Sequence, residues 1–320
     1  MVIIKLGYCE TLVNEAGFTP SLGDVFRHTV LLHHYKNDRV TWITSKAALP
    51  LLQDNPYIHE LMVYDNHPSE KLANREFDEL LCLEKSPTLC KFADSINAKS
   101  RLGFGRNKNG VYARSGAKSA LDMANGKDVF LPMQAVLFQM VNSYWDGEGY
   151  ILGYKPRPQP CFDVGFNFLV GKKWPSKRWP MKNWEKLREL CVNHGLSASW
   201  QTGAENLNDY MDWLNAGKLI VTCDSLGMHL ALAMRKKVVV LFGPTPSEGI
   251  YMYGRGIILT TDWACPKSPC MQPECDSNCR CMSQISPKTV ARTIINLLNG
   301  DANARHAAGI MNEQTIHSAS

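Results

Sequence analysis

The chain alternates short apolar runs with amphipathic segments, and this alternation restricts its fold more than any other feature. The first half has four apolar runs of strand length, at residues 2–6, 39–45, 58–65 and 77–84. Segments with helical spacing, such as 133–145, lie between or after them. Buried strands that alternate with helices are typical of βαβ units and a parallel sheet. The pattern therefore predicts an α/β fold.

A proline-rich stretch divides the chain, and the same alternation starts again behind it. The stretch GYKPRPQP, residues 153–160, holds three prolines and predicts a stiff linker. We therefore predict a domain at 1–155, a second at 156–300 and a loose tail at 301–320. Two doubly wound sheets joined in this way predict a cleft between two sets of strand carboxyl ends, where open α/β sheets bind ligands.

The composition favours a globular protein and argues against a nucleic-acid-binding or membrane-spanning one. The 320 residues are 45% hydrophobic and 20% charged, which is typical of a globular, soluble chain. The net charge of +5 suits an anionic small ligand, but no basic run interleaved with aromatic residues predicts nucleic-acid binding. No apolar run approaches the roughly 20 residues of a membrane span, so at most peripheral membrane contact is expected. Because the N-terminus shows no signal-peptide pattern, we expect a cytoplasmic protein.

The stretch CDSLGMH suggests two kinds of chemistry at a predicted strand–helix junction. A hydrolase elbow requires G-x-S-x-G, but a cysteine replaces the first glycine, and His229 lies on the helix that Ser225 opens. A phosphate-binding turn fits better. Asp224 or Ser225 would cap the helix, Gly227 would leave space, and the free N–H groups of the first turn would face an anion. From these residues alone, an ordinary capped junction remains an equal alternative.

A wider set of motifs resembles one enzyme family. The string VTCDSLGMHLALAMRKKVVVLFGPT is similar to the signature of glycosyltransferase family 9, the heptosyltransferase family. The segment KRWPMKNW resembles the family's K-x-W-P-x-x-x-W, and IIKLG followed by LGDVFRHTVLL resembles its opening. The resemblance implies the GT-B architecture, with two Rossmann-like doubly wound parallel-sheet domains facing each other across a cleft. It also implies inverting transfer from a nucleotide-sugar, typically ADP-heptose, without an organic cofactor.

The resemblance assigns the catalytic base to Asp24. An inverting transfer needs a carboxylate that takes the proton of the acceptor hydroxyl while its oxygen attacks the sugar. Considered without the resemblance, Asp24 would be interpreted as a helix N-cap beside Val25.

The resemblance places donor binding on the second domain, at Lys177, Glu205, Asp224, Ser225, Leu226, Gly227 and His229. Lys177 would contact the donor diphosphate, where a cation offsets the charge of the departing nucleotide. A solvated surface lysine is the alternative. Leu226 departs from the family turn D-[S/T]-G, because here the glycine comes one place later.

Five of the eleven cysteines form a cluster at residues 265–281, and the other six are expected to be mostly reduced core residues. The clustered spacing matches no standard zinc finger. We predict a structural zinc or iron site, with free thiols as the alternative. The predicted ligands are Cys270, Cys275, Cys279 and Cys281, with Cys265 as a spare. A shell filled by thiolates would leave no open position for catalysis.

Taken together, the motifs predict an inverting glycosyltransferase acting on a glycan, protein or small-molecule acceptor. The alternative is a non-catalytic GT-B-like binding or regulatory protein with a cysteine-bound metal.

Overall fold

The computed structural model describes residues 1–320 except 8–19, 65–67, 125–130, 204–205, 262–264, 266, 268, 276–279 and 301–320. The chain forms two compact units. Unit 1 comprises Met1–Arg157, Asn206–Asn208 and Glu248–Tyr253, and unit 2 comprises Pro158–Glu205, Asp209–Ser247 and Gly254–Ser320. The predicted tail and the predicted Cys279 ligand lie outside the described residues, and the domain limits at 155 and 300 stay predictions.

Unit 1 is built on a six-stranded sheet. Its strands are β1 Val2–Ile4, β2 Thr41–Thr44, β3 Glu60–Val63, β4 Phe77–Cys82, β5 Ala98–Asn107 and β6 Gly110–Ala113. Its helices are α1 Leu22–Arg27, α2 Leu49–Leu52, α3 Pro68–Leu72, α4 Pro87–Ser95, α5 Lys118–Ala124 and α6 Met133–Met140. Two 3₁₀ segments, His28–His33 and Lys46–Ala48, follow α1 and precede α2.

The order of the strands fixes where unit 1 has a crevice. The sheet runs β3-β2-β1-β4-β5-β6, with β5 and β6 antiparallel and the other neighbouring strands parallel. Strand β1 is fully buried, as is typical of a central strand in a parallel sheet with connecting helices on its faces. The chain direction across the sheet reverses between β1 and β4. Ligands of doubly wound sheets bind at such a switch point, outside the carboxyl ends of the strands.

Unit 2 is built on a five-stranded parallel sheet. Its strands are β7 Phe162–Asn167, β8 Ala198–Trp200, β9 Gly217–Cys223, β10 Lys237–Leu241 and β11 Gly256–Leu259. Its helices are α7 Met181–Asn193, α8 Leu207–Ala216, most of which belongs to unit 2, α9 Leu226–Ala233, α10 Arg280–Gln284 and α11 Pro287–Asn299. The order β11-β10-β9-β7-β8 places the switch point between β7 and β9.

The core of unit 2 explains why these segments fold as they do. Phe166 on β7 is fully buried, and its ring lies 5.9 Å from Trp184 of α7 and 5.0 Å from Trp200 of β8. Helix α11 presents one apolar face to this core and ends at Gly300, whose φ of +79° is the left-handed conformation that terminates helices. The packing thus covers one face of the sheet, where α7 and α11 lie against β7 and β9.

The predicted α/β fold is confirmed in both units, and the four runs at 2–6, 39–45, 58–65 and 77–84 appear as β1 to β4 within two residues of their expected ends. The helix predicted at 133–145 ends at Met140, because Asn142 takes a left-handed backbone conformation. The exposed Cys161 contradicts its assignment to the core, whereas Cys82, Cys90, Cys191 and Cys223 are buried. None of the helices that the structure describes has the length and apolar character of a membrane span.

We predict that Phe166→Ala lowers the free energy of unfolding of unit 2 by about 3–5 kcal/mol, the usual range when a buried phenylalanine leaves a cavity. Chemical unfolding followed by tryptophan fluorescence measures this loss. The control is Val192→Ala on α7, where the side chain is 49% exposed and the change should stay within about 0.5 kcal/mol. Equal losses in the two variants would contradict the assignment of Phe166 to the core.

Candidate functional site

Four polar side chains join the carboxyl ends of β7 and β9 at the switch point of unit 2. The amide of Asn167 donates to Thr222 Oγ1 at 2.8 Å and to Ser225 Oγ at 3.3 Å. Tyr210 of α8 donates its hydroxyl to Asn167 Oδ1 at 3.0 Å, and the hydroxyls of Thr222 and Ser225 lie 3.1 Å apart. This network fixes the backbone where β9 passes into α9.

Ser225 occupies the N-cap position of α9, as the sequence predicts, but its hydroxyl does not cap the helix. The hydroxyl instead belongs to the network with Asn167 and Thr222. A helix leaves its first N–H groups without intrahelical partners, and its dipole makes that end positive. The N-terminus of α9 therefore favours an anion at the sheet edge.

Gly227 has a packing role that the sequence interpretation did not include. A Cβ atom at this position would lie 2.3 Å from the Tyr210 hydroxyl and 2.4 Å from Asn167 Nδ2. No side chain fits there without breaking the network, so a glycine is required one place later than in the family turn. Leu226, which takes the expected glycine position, is half-buried, and His229 is buried.

An ion pair borders the same turn. Lys177, in the 3₁₀ turn Pro175–Lys177, places Nζ 2.6 Å from Asp224 Oδ2, and Thr245 donates its hydroxyl to that oxygen at 3.0 Å. The Lys177 ammonium also lies 4.8 Å from the centre of the Trp174 ring, a cation–π contact. These contacts hold the positive charge of Lys177 beside the start of α9. Lys177 therefore lies next to the turn with which the sequence interpretation grouped it.

The electrostatics of Asp224 follow from this pairing. Burial alone would raise the pKa of its carboxyl, but the charge and hydrogen bond of Lys177, together with His229 and Thr245, outweigh burial and lower the pKa. Asp224 is therefore an anion at neutral pH. Both side chains are mostly buried, with 15% of Lys177 and 19% of Asp224 exposed.

The switch point of unit 1 carries a second charged cluster. Glu84 follows β4 and accepts hydrogen bonds at Oε1 from the N–H groups of Leu6, at 2.6 Å, and Gly7, at 2.7 Å. Lys5, directly behind β1, forms an ion pair with Asp24 of α1 and lies 3.5 Å from Glu84 Oε1. Glu84 Oε2 has no hydrogen-bond partner among the described residues. One buried ammonium is thus shared by two carboxylates.

Asp24 lies inside this cluster, and Arg27 is its second cationic partner. Burial would raise the pKa of Asp24, but the charges of Lys5, Arg27 and His28 lower it well below the usual value. Burial raises the pKa of Glu84, against the charge of Lys5. The alternative that Asp24 is an N-cap is wrong, because Ser21 takes that position and Asp24 lies within the first turn.

The predicted residues thus form two groups. Asp24 lies in unit 1, and the second group lies at the switch point of unit 2 and comprises Lys177, Asp224, Ser225, Leu226, Gly227 and His229. Glu205 lies outside the described residues. The sequence interpretation missed Lys5, Glu84, Asn167, Thr245 and Tyr210. All of these except Tyr210 directly end or closely follow a strand at its carboxyl end, and that position is the signal that could have identified them.

The cysteine cluster does not assemble a metal site from the residues described. No group of three histidine, cysteine, aspartate or glutamate side chains in that part of the chain is arranged to hold an ion. Burial raises the pKa of the Cys281 thiol, a hydrogen bond at Met282 lowers it, and the nearby Cys275, Cys270 and Cys265 raise it further. These three thiols therefore lie within electrostatic reach of Cys281, whereas Cys279 lies outside the described residues.

We predict that Lys177→Met raises the pKa of Asp224, because the buried carboxylate loses its principal cation. A depressed pKa contributes stability above the unfolded-state value of about 3.9, and this contribution is lost as the pH falls through the folded-state value. The Asp224 pair should therefore stabilise the native state at neutral pH and not at low pH. Carbon NMR of the Asp224 carboxyl measures the pKa, and Lys172→Met, on an exposed lysine, is the control. An unchanged Asp224 titration would contradict the pairing.

Comparisons with known proteins agree with this geometry. Residues 202–280 match the model of glycosyltransferase family 9 (heptosyltransferase), and this segment includes β9, α9, β10 and Thr245. Over 64 residues the chain is 38% identical to lipooligosaccharide heptosyltransferase 2 of Haemophilus influenzae. This aligned segment covers 20% of this chain and 16% of that protein's length.

Solved structures extend the likeness to both units. A family 9 glycosyl transferase from Veillonella parvula superposes with a TM-score of 0.71 at 17% identity, over 94% of this chain and 97% of that one. A second similar structure is TibC from enterotoxigenic E. coli, an iron-containing, dodecameric heptosyltransferase solved with ADP-D-beta-D-heptose. It superposes with a TM-score of 0.59 at 12% identity, over 93% of this chain and 76% of that one. Residues 202–280 are therefore similar to family 9 glycosyltransferases, and the fold around them is the GT-B fold of solved structures from that family.

Proposed function

We propose that this chain is an inverting glycosyltransferase that moves heptose from an ADP-linked donor to an acceptor hydroxyl. The observation that carries the proposal is the coincidence of the family segment with the switch point of unit 2. The turn from β9 into α9 lies within residues 202–280 and is bordered by Lys177. The ADP-heptose bound to TibC supports an ADP-linked donor.

On the donor side, the chain supplies two kinds of positive potential for a diphosphate. The first is the N-terminus of α9, where backbone N–H groups face the sheet edge. The second is Lys177, whose charge offsets the negative charge that develops on the departing nucleotide. Asp224 holds Lys177 close to this turn. Donor binding would make Lys177 an ammonium shared by Asp224 and the diphosphate.

On the acceptor side, Asp24 would be the general base. Its lowered pKa keeps it ionised at neutral pH, although the ion pairs with Lys5 and Arg27 make it a weaker proton acceptor. Lys5 also lies 3.5 Å from the Glu84 carboxylate. A small shift of Lys5 towards Glu84 would return basicity to Asp24, so Glu84 would help to set the strength of the base.

The acceptor is proposed as a hydroxyl-bearing glycan, protein or small molecule. The curated relative is named for lipooligosaccharide, which makes a glycan acceptor the first to test. The net charge of +5 is compatible with anionic substrates. A cytoplasmic location, where nucleotide-sugars are made, is part of the proposal.

A structural zinc or iron ion at the cysteine cluster is a separate part of the proposal. It is supported by the number of thiols and by the iron in TibC, whereas the described cysteines do not form a ligand set by themselves. The proposed ligands are Cys270, Cys275, Cys279 and Cys281. No step of the transfer is assigned to this ion, because the charge of the leaving group is met by Lys177 and α9.

The function is tested by incubating the full chain with ADP-heptose and glycan acceptors and measuring released ADP, with UDP- and GDP-sugars in parallel. We expect ADP release that depends on acceptor, and protection against thermal unfolding by millimolar ADP. Asp24→Asn should lower kcat by about 10²–10⁴-fold, the usual contribution of a general base, while ADP affinity stays unchanged.

Asp78→Asn is the matched control, because Asp78 is an exposed carboxylate of unit 1 paired with Lys99. This variant should keep full activity. Transfer that persists in Asp24→Asn would refute the base assignment. If no nucleotide shifts the melting temperature, the enzyme proposal fails and the binding or regulatory alternative gains support.

For the metal, elemental analysis of the purified chain should find about one zinc or iron ion per molecule, as structural thiolate sites hold. Cys275→Ser should lower this content, since a hydroxyl is a poor ligand for these ions. The control is Cys161→Ser, which removes an exposed thiol outside the cluster and should leave the content unchanged. The absence of stoichiometric metal would leave free thiols as the state of the cluster.

A further inference from the structure

The cysteine loop, residues 265–281, is hydrogen-bonded to the elements that hold the Lys177–Asp224 pair. Ser176 donates its N–H to Pro273 O at 3.0 Å and its hydroxyl to Gln272 O at 2.7 Å. Met271 donates its N–H to Pro244 O at 2.9 Å. Three consecutive loop residues are thus fixed between two segments of the candidate donor site.

Ser176 connects the loop to Lys177 directly. Its side chain is buried, with 2% of the residue exposed, and both its N–H and its hydroxyl donate hydrogen bonds to backbone carbonyls of the loop. It lies within the short 3₁₀ turn that ends at Lys177, so a displacement of Ser176 moves the backbone of Lys177 as well. The position of the Lys177 ammonium against Asp224 therefore depends on where the loop holds this turn.

The loop also contacts the segment that carries Thr245, the second partner of Asp224. Gly243 leads into Pro244 and Thr245, and a Cβ atom on Gly243 would lie 2.9 Å from Cys281 Sγ and 2.5 Å from Met282 Sδ. The start of α10 is thus in close contact with this backbone. Lys177 and Thr245, the two side chains that bind Asp224 Oδ2, therefore both belong to segments that contact the cysteine loop.

We propose that Ser176 is a positioning residue that couples the cysteine loop to Lys177, so that the state of the loop sets the affinity for the donor diphosphate. The inference rests on the proposed function of Lys177. Cys270 directly precedes the fixed segment 271–273, and Cys275 follows it by two residues. Metal ligation or covalent modification of these thiols would therefore act on the segment that Ser176 binds.

The test compares the affinities of ADP and adenosine for the full chain by titration calorimetry. Ser176→Ala removes the hydroxyl bond to Gln272 and keeps the backbone bond to Pro273. Loss of one such bond should weaken ADP binding by about 3- to 10-fold. Adenosine lacks the diphosphate, so its affinity should stay constant. In a Lys177→Ala background the effect of Ser176→Ala on ADP should disappear, because the residue acts through Lys177.

Ser95→Ala is the matched control. The Ser95 hydroxyl donates to Phe92 O over the same 2.7 Å, but it lies on α4 of unit 1. This variant should leave both affinities unchanged. An ADP-to-adenosine affinity ratio in Ser176→Ala equal to that of the unmodified chain would overturn the inference. This holds if neither affinity changes, and also if both fall by the same factor, since that result marks a purely structural role.

A second measurement is independent of nucleotide and separates this inference from the proposed function. If the unmodified chain binds neither ADP nor adenosine, the proposed function has failed. The Asp224 carboxyl can still be titrated by NMR. Ser176→Ala should raise the pKa of Asp224, because Lys177 is held less closely against it. An unchanged pKa of Asp224 in this variant would refute the coupling, whatever ligand the protein binds.

Discussion

The ion pair between Lys177 and Asp224 is the contact on which the arrangement of the unit 2 site depends. It joins the turn before α7 to the exit of β9, and Thr245 adds the segment behind β10. Desolvation offsets part of the attraction between two charges brought out of water in this way, so the net stability that they contribute at neutral pH is smaller than their attraction alone. Their effect is geometric. Separating the two partners would leave a mostly buried charge unpaired, which is costly. The turn before α7 and the end of β9 are therefore held in one arrangement.

In unit 1, one buried ammonium lies between two carboxylates, and Arg27 pairs with one of them. Lys5 leaves β1 between Asp24 and Glu84, and the N–H groups of Leu6 and Gly7 hold Glu84 in place. Both clusters lie at the switch point of their own sheet, where the connecting helices pass to opposite faces. Buried charges that would destabilise a closed core are tolerated there, because each carboxylate has a cation or N–H donors.

The sequence predicts the parts of the structure that local patterns determine. Apolar runs identified β1, β2, β3 and β4. The β5–β6 hairpin escaped prediction, because β5 is exposed at both ends and buried in its middle, without regular alternation. The Glu84–Lys5 contact and the bonds of Ser176 to backbone carbonyls depend on strand register and loop path, which no local pattern specifies.

The ion pair also links the cysteine loop with the proposed chemistry. A lysine proposed to serve both Asp224 and a diphosphate would be sensitive to small displacements, because the attraction falls with distance and with exposure to water. The loop fixes the turn of Lys177 through Ser176 and approaches the segment of Thr245 through Cys281. In the proposed coupling, a thiol-rich loop in this position needs no open coordination site to influence transfer, because it acts by holding the charge of Lys177 in place.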